Sequence, residues 1–221
     1  MSKLMTGVSG VRGVFGDSLT PPIVMQYAAR FALMQKETYG CGKIVIGRDS
    51  RTTGQAVFHS IVASLISLGM DVVDIGIAST PTVLLTVELS DAIGGIAITA
   101  SHNPPEWNAM KFVDADGMFL SAEKAEAFLS RVNEPTQWMD WRFMGRLSKD
   151  QEAVHRHIER ILAIPYLDVA TIQARKFKVV IDSVNGAGSV ISPILLHKLG
   201  CEVIEINSDP TGIFAHPAEP L

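Results

Sequence analysis

The sequence is poor in cysteine: only Cys41 and Cys201 occur in 221 residues. They are too few and too far apart for a disulfide framework or a clustered metal site, so a reduced, cytoplasmic chain is expected. Excess positive charge is missing as well. Lysine and arginine total 19 against 23 aspartates and glutamates, a formal net charge of −4, which argues against a nucleic-acid binder. No five consecutive like charges occur, so no polybasic tail is available for a membrane surface. The longest apolar stretches, such as residues 61–68, are broken by Ser64 and Ser67. They fall short of the roughly 20 residues that a membrane span needs. The opening Met1-Ser2-Lys3-Leu4-Met5-Thr6-Gly7 lacks the apolar core of a signal peptide. What is present is a globular composition, 47% hydrophobic and 19% charged, in a chain long enough for one large or two small domains.

Helical and strand patterns alternate along the chain. Thr20-Pro21-Pro22 offers a capping threonine and first-turn prolines, and apolar Ile23, Tyr27, Ala28, Phe31 and Met34 follow at helical spacing. Residues 43–47 read as a buried strand, 53–68 as a helix stopped by Gly69, and 71–75 as a strand. A short helix over 81–89, a strand over 93–99 and another over 109–113 come next, the last joined through Asp116-Gly117 to 118–120. A helix spans about 123–132. The pattern then breaks up over 133–149, and a helix polar on one face runs from about 150 to 164. Strands alternating with helices predict an α/β layered fold.

An internal echo supports two copies of one module. Residues 68–75 (LGMDVVDI) align with residues 199–206 (LGCEVIEI). Each block closes a helix, turns on glycine and opens a strand. Each is preceded by a strand and a helix, from Lys43 in one case and Lys178 in the other. The first module continues into more strands, whereas the second runs into an extended proline-bearing tail, so the expectation is a chain cut inside its second domain. The divisions expected are 1–149, a connector over 150–175, and the start of a second domain over 176–221.

One segment carries candidate chemistry. The apolar strand ending at Ile98 runs into Thr99-Ala100-Ser101-His102-Asn103-Pro104. In open α/β sheets ligands bind beyond the carboxyl ends of strands, so Ser101 stands where a nucleophile belongs, with His102 beside it. Residues alone leave a plain strand-ending turn open.

These residues resemble the active-serine signature of the α-D-phosphohexomutases, the family of phosphoglucomutases, phosphomannomutases and phosphoglucosamine mutases. The likeness extends through Asn108, Lys111 and Asp116-Gly117. Upstream, Gly10-Val11-Arg12-Gly13 resembles the family's arginine motif and Gly47-Arg48-Asp49-Ser50-Arg51 its GRDxR element. Downstream, residues 182–188 resemble its DxxNGxG segment. Two departures are tolerable: Ser9-Gly10 stands where many members carry an acidic residue, and Ala109 replaces a common glycine.

The resemblance implies a three-layer αβα domain with a mixed sheet, followed by an incomplete second domain of the same type. It implies a phosphohexomutase that interconverts hexose 1-phosphate and 6-phosphate through a phosphoserine at Ser101 and a bisphosphosugar intermediate. A phosphoserine carries about −1.5 to −2 charge at neutral pH, so cationic partners are required. The family's ion is Mg²⁺, with Ser101 as phosphoserine supplying one ligand and the acidic metal loop falling beyond Leu221. A glucose 1,6-bisphosphate-type activator is compatible with this chemistry. Lys111 is the expected general acid/base, and its free pKa near 10.4 would have to be lowered by desolvation or a nearby cation. Arg12 would hold phosphate or act as that cation. His102 is expected to shape the site rather than serve as the base. Asn103, Arg48 and Asp49 would form the phosphoserine environment, the GRDxR residues bracing the loop by ion pairing. A fragment lacking the distal phosphate grip is expected to be inactive alone.

Three further readings stand beside this one. The chain could be a non-catalytic α/β protein that binds a phosphosugar or a partner. Asp114-Ala115-Asp116-Gly117 looks like a metal loop but reads better as a solvated hairpin turn. Asn185-Gly186-Ala187-Gly188 invites a nucleotide site, but Ile191 stands where a third glycine belongs, so close helix–strand packing is the preferred account. The choice among glucose, mannose and glucosamine phosphates, and the oligomeric state, are not written in these residues.

Overall fold

A computed structural model describes residues 2–219. The chain opens with a hairpin, β1 (Met5–Gly7) and β2 (Gly10–Val14), followed by helix α1 (Pro21–Tyr39). Thr20 takes the capping position in an extended conformation, but its side chain makes no capping bond. The entry is set instead by the prolines, whose fixed φ and missing N–H suit a first turn. Next come β3 (Lys43–Arg48), α2 (Gly54–Ser67), β4 (Asp71–Ile77), α3 (Thr80–Glu88), β5 (Ala92–Ile98) and β6 (Trp107–Asp114). The expected strand over 118–120 is reduced to a single bridge between Val113 and Phe119. Helix α4 (Ala122–Ser130) is capped by the Ser121 side chain, which accepts from the Lys124 amide. The broken stretch after it holds a 3₁₀ turn at Trp141–Phe143 and a short strand β7 (Leu147–Lys149).

Seven strands form one sheet in the order β1-β2-β6-β5-β3-β4-β7. β3 pairs in parallel with both β4 and β5, β7 adds in parallel to β4, and β2, β6 and β5 pair antiparallel. The sheet is therefore mixed. Its central strands bear side chains buried on both faces. Ile44, Ile46, Ile96 and Ile98 pack on one side with Phe31, Ile61 and Leu65 from α1 and α2. Val45 and Ala97 pack on the other with Val83 and Val87 from α3. Helix, sheet and helix make the three αβα layers.

Helix α5 (Ala153–Leu162) follows, three residues shorter at its start than its pattern suggested. It packs on α3, where Thr82 Oγ1 lies 2.9 Å from His157 Nδ1. Helix α6 (Val169–Arg175), capped by Asp168, leads to β8 (Lys178–Asp182), α7 (Gly188–Lys198) and β9 (Glu202–Ile206). β8 and β9 pair in parallel in a separate two-stranded sheet. The sequence echo is thus a structural one. β3-α2-β4 and β8-α7-β9 are both parallel βαβ units, and their matched turn glycines Gly69 and Gly200 have φ of 77° and 76°.

Candidate active site

Ser101 sits just past the carboxyl end of β5, exposed, with a left-handed φ of 57°. Such a φ is unfavourable for a residue with a Cβ and persists only where the surroundings fix it. The Ser101 amide donates to Thr99 Oγ1 at 3.1 Å. Ser101 lines a cavity of about 170 Å³ shared with Arg12 and Lys111.

Strand pairing brings these two cations to Ser101 from distant parts of the sequence. Arg12 on β2 stands opposite Ala109 on β6, and Lys111, two residues along β6, stands opposite Ala97 on β5. Period-two alternation sends residues 109 and 111 to the same sheet face. β2 can lie this close because Gly10 has φ 110° and no side chain. A Cβ there would stand 2.0 Å from the Met110 carbonyl oxygen. Arg12 Nη1 donates to Asn103 Oδ1 at 2.9 Å, which ties the arginine motif to the serine loop. Lys111 Nζ lies 5.7 Å from the centre of the Phe119 ring.

His102 lies on a different side. Its Nδ1 is 3.4 Å from Ser101 Oγ, while its Nε2 faces Glu219 at 3.5 Å, and it lines a separate hollow with Pro105 and Phe214. Arg48 ends β3 and donates only to the carbonyl of Asp49, at 3.4 Å. Asp49 acts through Arg51, accepting from its amide at 3.0 Å and from its Nε at 3.1 Å.

Arg51 holds the serine loop. It is 1% exposed. Nη1 donates to the carbonyls of Pro104 (2.7 Å) and Trp107 (3.0 Å), and Nη2 to those of Ser101 (2.9 Å) and Asn103 (2.7 Å). With Asp49 on Nε, all five guanidinium N–H groups have acceptors. Burial draws the guanidinium below the usual arginine range, and the Asp49 carboxylate opposes that shift. The loop 101–107 is therefore wrapped around one buried cation.

Two other expectations change. Asp114 is not a solvated turn residue. It is 6% exposed and takes bonds from Lys124 Nζ, Tyr39 Oη (3.0 Å), Gln35 Nε2 (3.2 Å) and the Ala115 amide (2.9 Å). Desolvation pushes its carboxyl up, but these bonds outweigh it and hold the pKa below the ordinary value. Asp116 alone behaves as a turn residue, capping the Met118 amide at 3.0 Å. Close packing does not explain Gly188 either, because a Cβ there would meet only Ser192 Oγ, at 4.0 Å. The special backbone of this segment lies at Val184 and Asn185, with φ of 52° and 55°. Asn185 offers its carbonyl to Ser50 Oγ at 2.8 Å and so links the second unit to the first. Pattern reading missed the β1–β2 hairpin and the part played by the tail, since Phe214 lies against Arg51.

The described residues contain no convergence of three or more His, Cys, Asp or Glu side chains. The cavity offers a magnesium ion hydroxyls and two cations. These residues therefore do not by themselves fit a Mg²⁺ site.

Residues 3–138 match the family model described as "Phosphoglucomutase/phosphomannomutase, alpha/beta/alpha domain I". Residues 155–221 match the corresponding alpha/beta/alpha domain II. A Thermococcus kodakarensis protein named phosphoglucomutase/phosphomannomutase is 38% identical over 217 residues, covering 97% of this chain and 46% of that protein. A Pyrococcus abyssi protein named "Probable phosphoglucosamine mutase" is 40% identical over 217 residues, covering 97% and 45%. Among solved structures, a "putative phosphomannomutase" of Thermus thermophilus superposes with a TM-score of 0.84 at 28% identity, covering 97% of this chain and 48% of the other. The chain thus spans a little under half the length of these relatives. With both domain models matched in order, it belongs to the α-D-phosphohexomutase family of phosphoglucomutases and phosphomannomutases.

Proposed function

We propose that this chain carries the phosphoserine part of a hexose-phosphate mutase, with Ser101 as the phosphoryl carrier. One observation carries the reading: a strained serine at a strand end shares a single cavity with one arginine and one lysine. In the proposed reaction the Ser101 Oγ–P bond breaks as a sugar hydroxyl oxygen bonds to phosphorus. Lys111 takes the hydroxyl proton, and Arg12 offsets charge on the transferring group. The bisphosphosugar so formed reorients, its other phosphate returns to Ser101 Oγ, and the proton goes back from Lys111 to the sugar oxygen. Asn103 fixes Arg12, and Arg48 and Asp49 belong to the frame behind the loop rather than to the cavity. His102 shapes the rim. Glucose 1,6-bisphosphate would prime the serine, and the substrate is a hexose phosphate, with no role for nucleic acid or membrane. The reading includes a cytoplasmic enzyme; no helix among the described residues is long and apolar enough to cross a membrane. Mg²⁺ bound to the Ser101 phosphate would neutralise charge, its remaining ligands coming from outside the described residues. The 221-residue chain alone is expected not to isomerise sugars.

The test is phosphate incorporation. The chain is incubated with labelled glucose 1,6-bisphosphate and Mg²⁺, and the phosphopeptide is mapped. One phosphate on Ser101, absent from Ser101→Ala, is the expected result. Equal labelling of Ser101→Ala would overturn the assignment. Saturable binding of hexose phosphate with no phosphoserine would replace it with the non-catalytic, phosphosugar-binding reading.

A further inference from the structure

The tail after β9 crosses the first unit at the back of the serine loop. Gly212 is buried where no side chain fits, since a Cβ there would stand 2.0 Å from the Ser50 carbonyl oxygen. Asn185 pins the crossing, its carbonyl accepting from the Gly212 amide at 3.3 Å and its Nδ2 donating to Ile213 O at 3.0 Å. Two residues on, the Phe214 ring centre lies 5.0 Å from Arg51 Cζ.

Arg51 Nη2 grips the carbonyls of Ser101 and Asn103, on either side of His102. These bonds oppose relaxation of the left-handed backbone at Ser101. Water at the guanidinium would compete with the carbonyls for the same N–H groups. An aromatic ring over the cation excludes that water and adds its own attraction, which grows as the cation is desolvated.

We propose that Phe214 is a positioning residue for the serine loop, sealing Arg51 so that Ser101 stays in its left-handed conformation facing Arg12 and Lys111. The inference rests on Ser101 as phosphoryl carrier and adds to that reading a residue from the second unit.

The experiment is residue-resolved amide hydrogen exchange on the 221-residue chain. The reporters are the Ser101, Asn103 and Trp107 amides, bonded to Thr99 Oγ1, Ala100 O and Pro104 O. Phe214→Ala should speed their exchange about tenfold, the size of a lost contact of this kind, while β3 and β5 amides keep their rates. Phe214→Tyr should restore protection, and Phe214→Leu should restore only part of it. In a Ser101→Gly background the effect of Phe214→Ala should shrink, because glycine adopts φ near 57° without strain. Unchanged loop exchange in Phe214→Ala would overturn the proposal. So would a rise shared equally by β3 and β5, or an effect undiminished by Ser101→Gly. The phosphate-incorporation rate is read in parallel and should fall in Phe214→Ala. A wild-type chain that takes no phosphate would sink the carrier reading, and the exchange data would still decide the role of Phe214.

Discussion

At the scale of single residues, a buried cation with five donors and five acceptors leaves no tolerance for a smaller one. Lysine offers three donors from a point charge and cannot span the Asp49 carboxylate and four loop carbonyls. Arg51→Lys is expected to lower the unfolding free energy by about 2–4 kcal/mol, as buried carbonyls lose partners. A urea titration checks this, and a loss under about 1 kcal/mol would mean the loop is held by other contacts. Lys111 is the opposite case, half-buried with few partners, so its substitution should be felt in chemistry. Lys111→Met should slow phosphate transfer to Ser101 by about 10²–10⁴-fold, the usual contribution of a proton-transfer group. Its urea midpoint should barely move. The grouping was legible in part: through the family resemblance the motifs named Ser101, Arg12 and Lys111, which line one cavity, and GRDxR suggested a brace. The form of the brace was hidden, because it depends on where backbone carbonyls point. Loop carbonyls carry no residue identity that a sequence could display.

At the scale of elements, strand pairing builds the cavity, and a turn holds the tail after β9, which lies as a strap across the first unit. Gly10→Ala would put a Cβ against the Met110 carbonyl at a φ that side chains rarely adopt. β2 must then shift off β6, carrying Arg12 with it. The expected cost is about 1–3 kcal/mol in stability, together with loss of phosphate incorporation beyond what stability explains. The strap offers a pH test. His216 Nδ1 faces the Pro217 carbonyl and Nε2 faces Asp182 Oδ2, each at 3.0 Å, so both ring nitrogens meet acceptors, an arrangement that favours the protonated ring. The Pro217 carbonyl first, then Asp182, raises the His216 pKa. The Val184 amide first, then His216 and Asn207, lowers that of Asp182. The histidine's contribution is therefore complete below its ordinary value near 6.5 and lost as pH rises through the raised one. The aspartate's is present above about 3.9 and lost in acid. An NMR titration of the His216 ring should give a midpoint above 6.5 that falls back in Asp182→Asn. An unshifted midpoint would mean that the strap is not latched there in solution. Most helices and the central strands were plain from periodicity, within a residue or three at their ends, but α6 was not, its seven residues lying inside the stretch read as connector. β1, β2 and β7 were not plain either: β1 and β7 are three residues each at the sheet edges, too short to show alternation, and Gly10 and Gly13 dilute the pattern of β2.

At the scale of the whole molecule, the two βαβ units share a pattern but differ in cover. The first sits inside a seven-stranded sheet with helices on both faces. The second has two strands, and Val180, Ile204 and Ile206 on them are 61%, 40% and 44% exposed. Paired strands with an open apolar face are marginal, since hydrogen bonding alone adds little against conformational entropy. The second unit is held instead through α5, which packs on both α3 and α7, and through the Ser50–Asn185 bond. It should therefore open before the sheet does. Hydrogen exchange in low urea should show the β8 and β9 amides exchanging by a partial opening, with β3 and β5 amides waiting for global unfolding. Substitutions should divide in the same way. Val180→Thr should change stability by no more than about 0.5 kcal/mol, whereas Ile44→Ala, in the shared core, should cost about 2–5 kcal/mol. If β8 and β3 amides reach the same exchange free energy, α5 and the strap bind the units into one cooperative body. The Phe214 contact would then report global stability rather than the state of the serine loop.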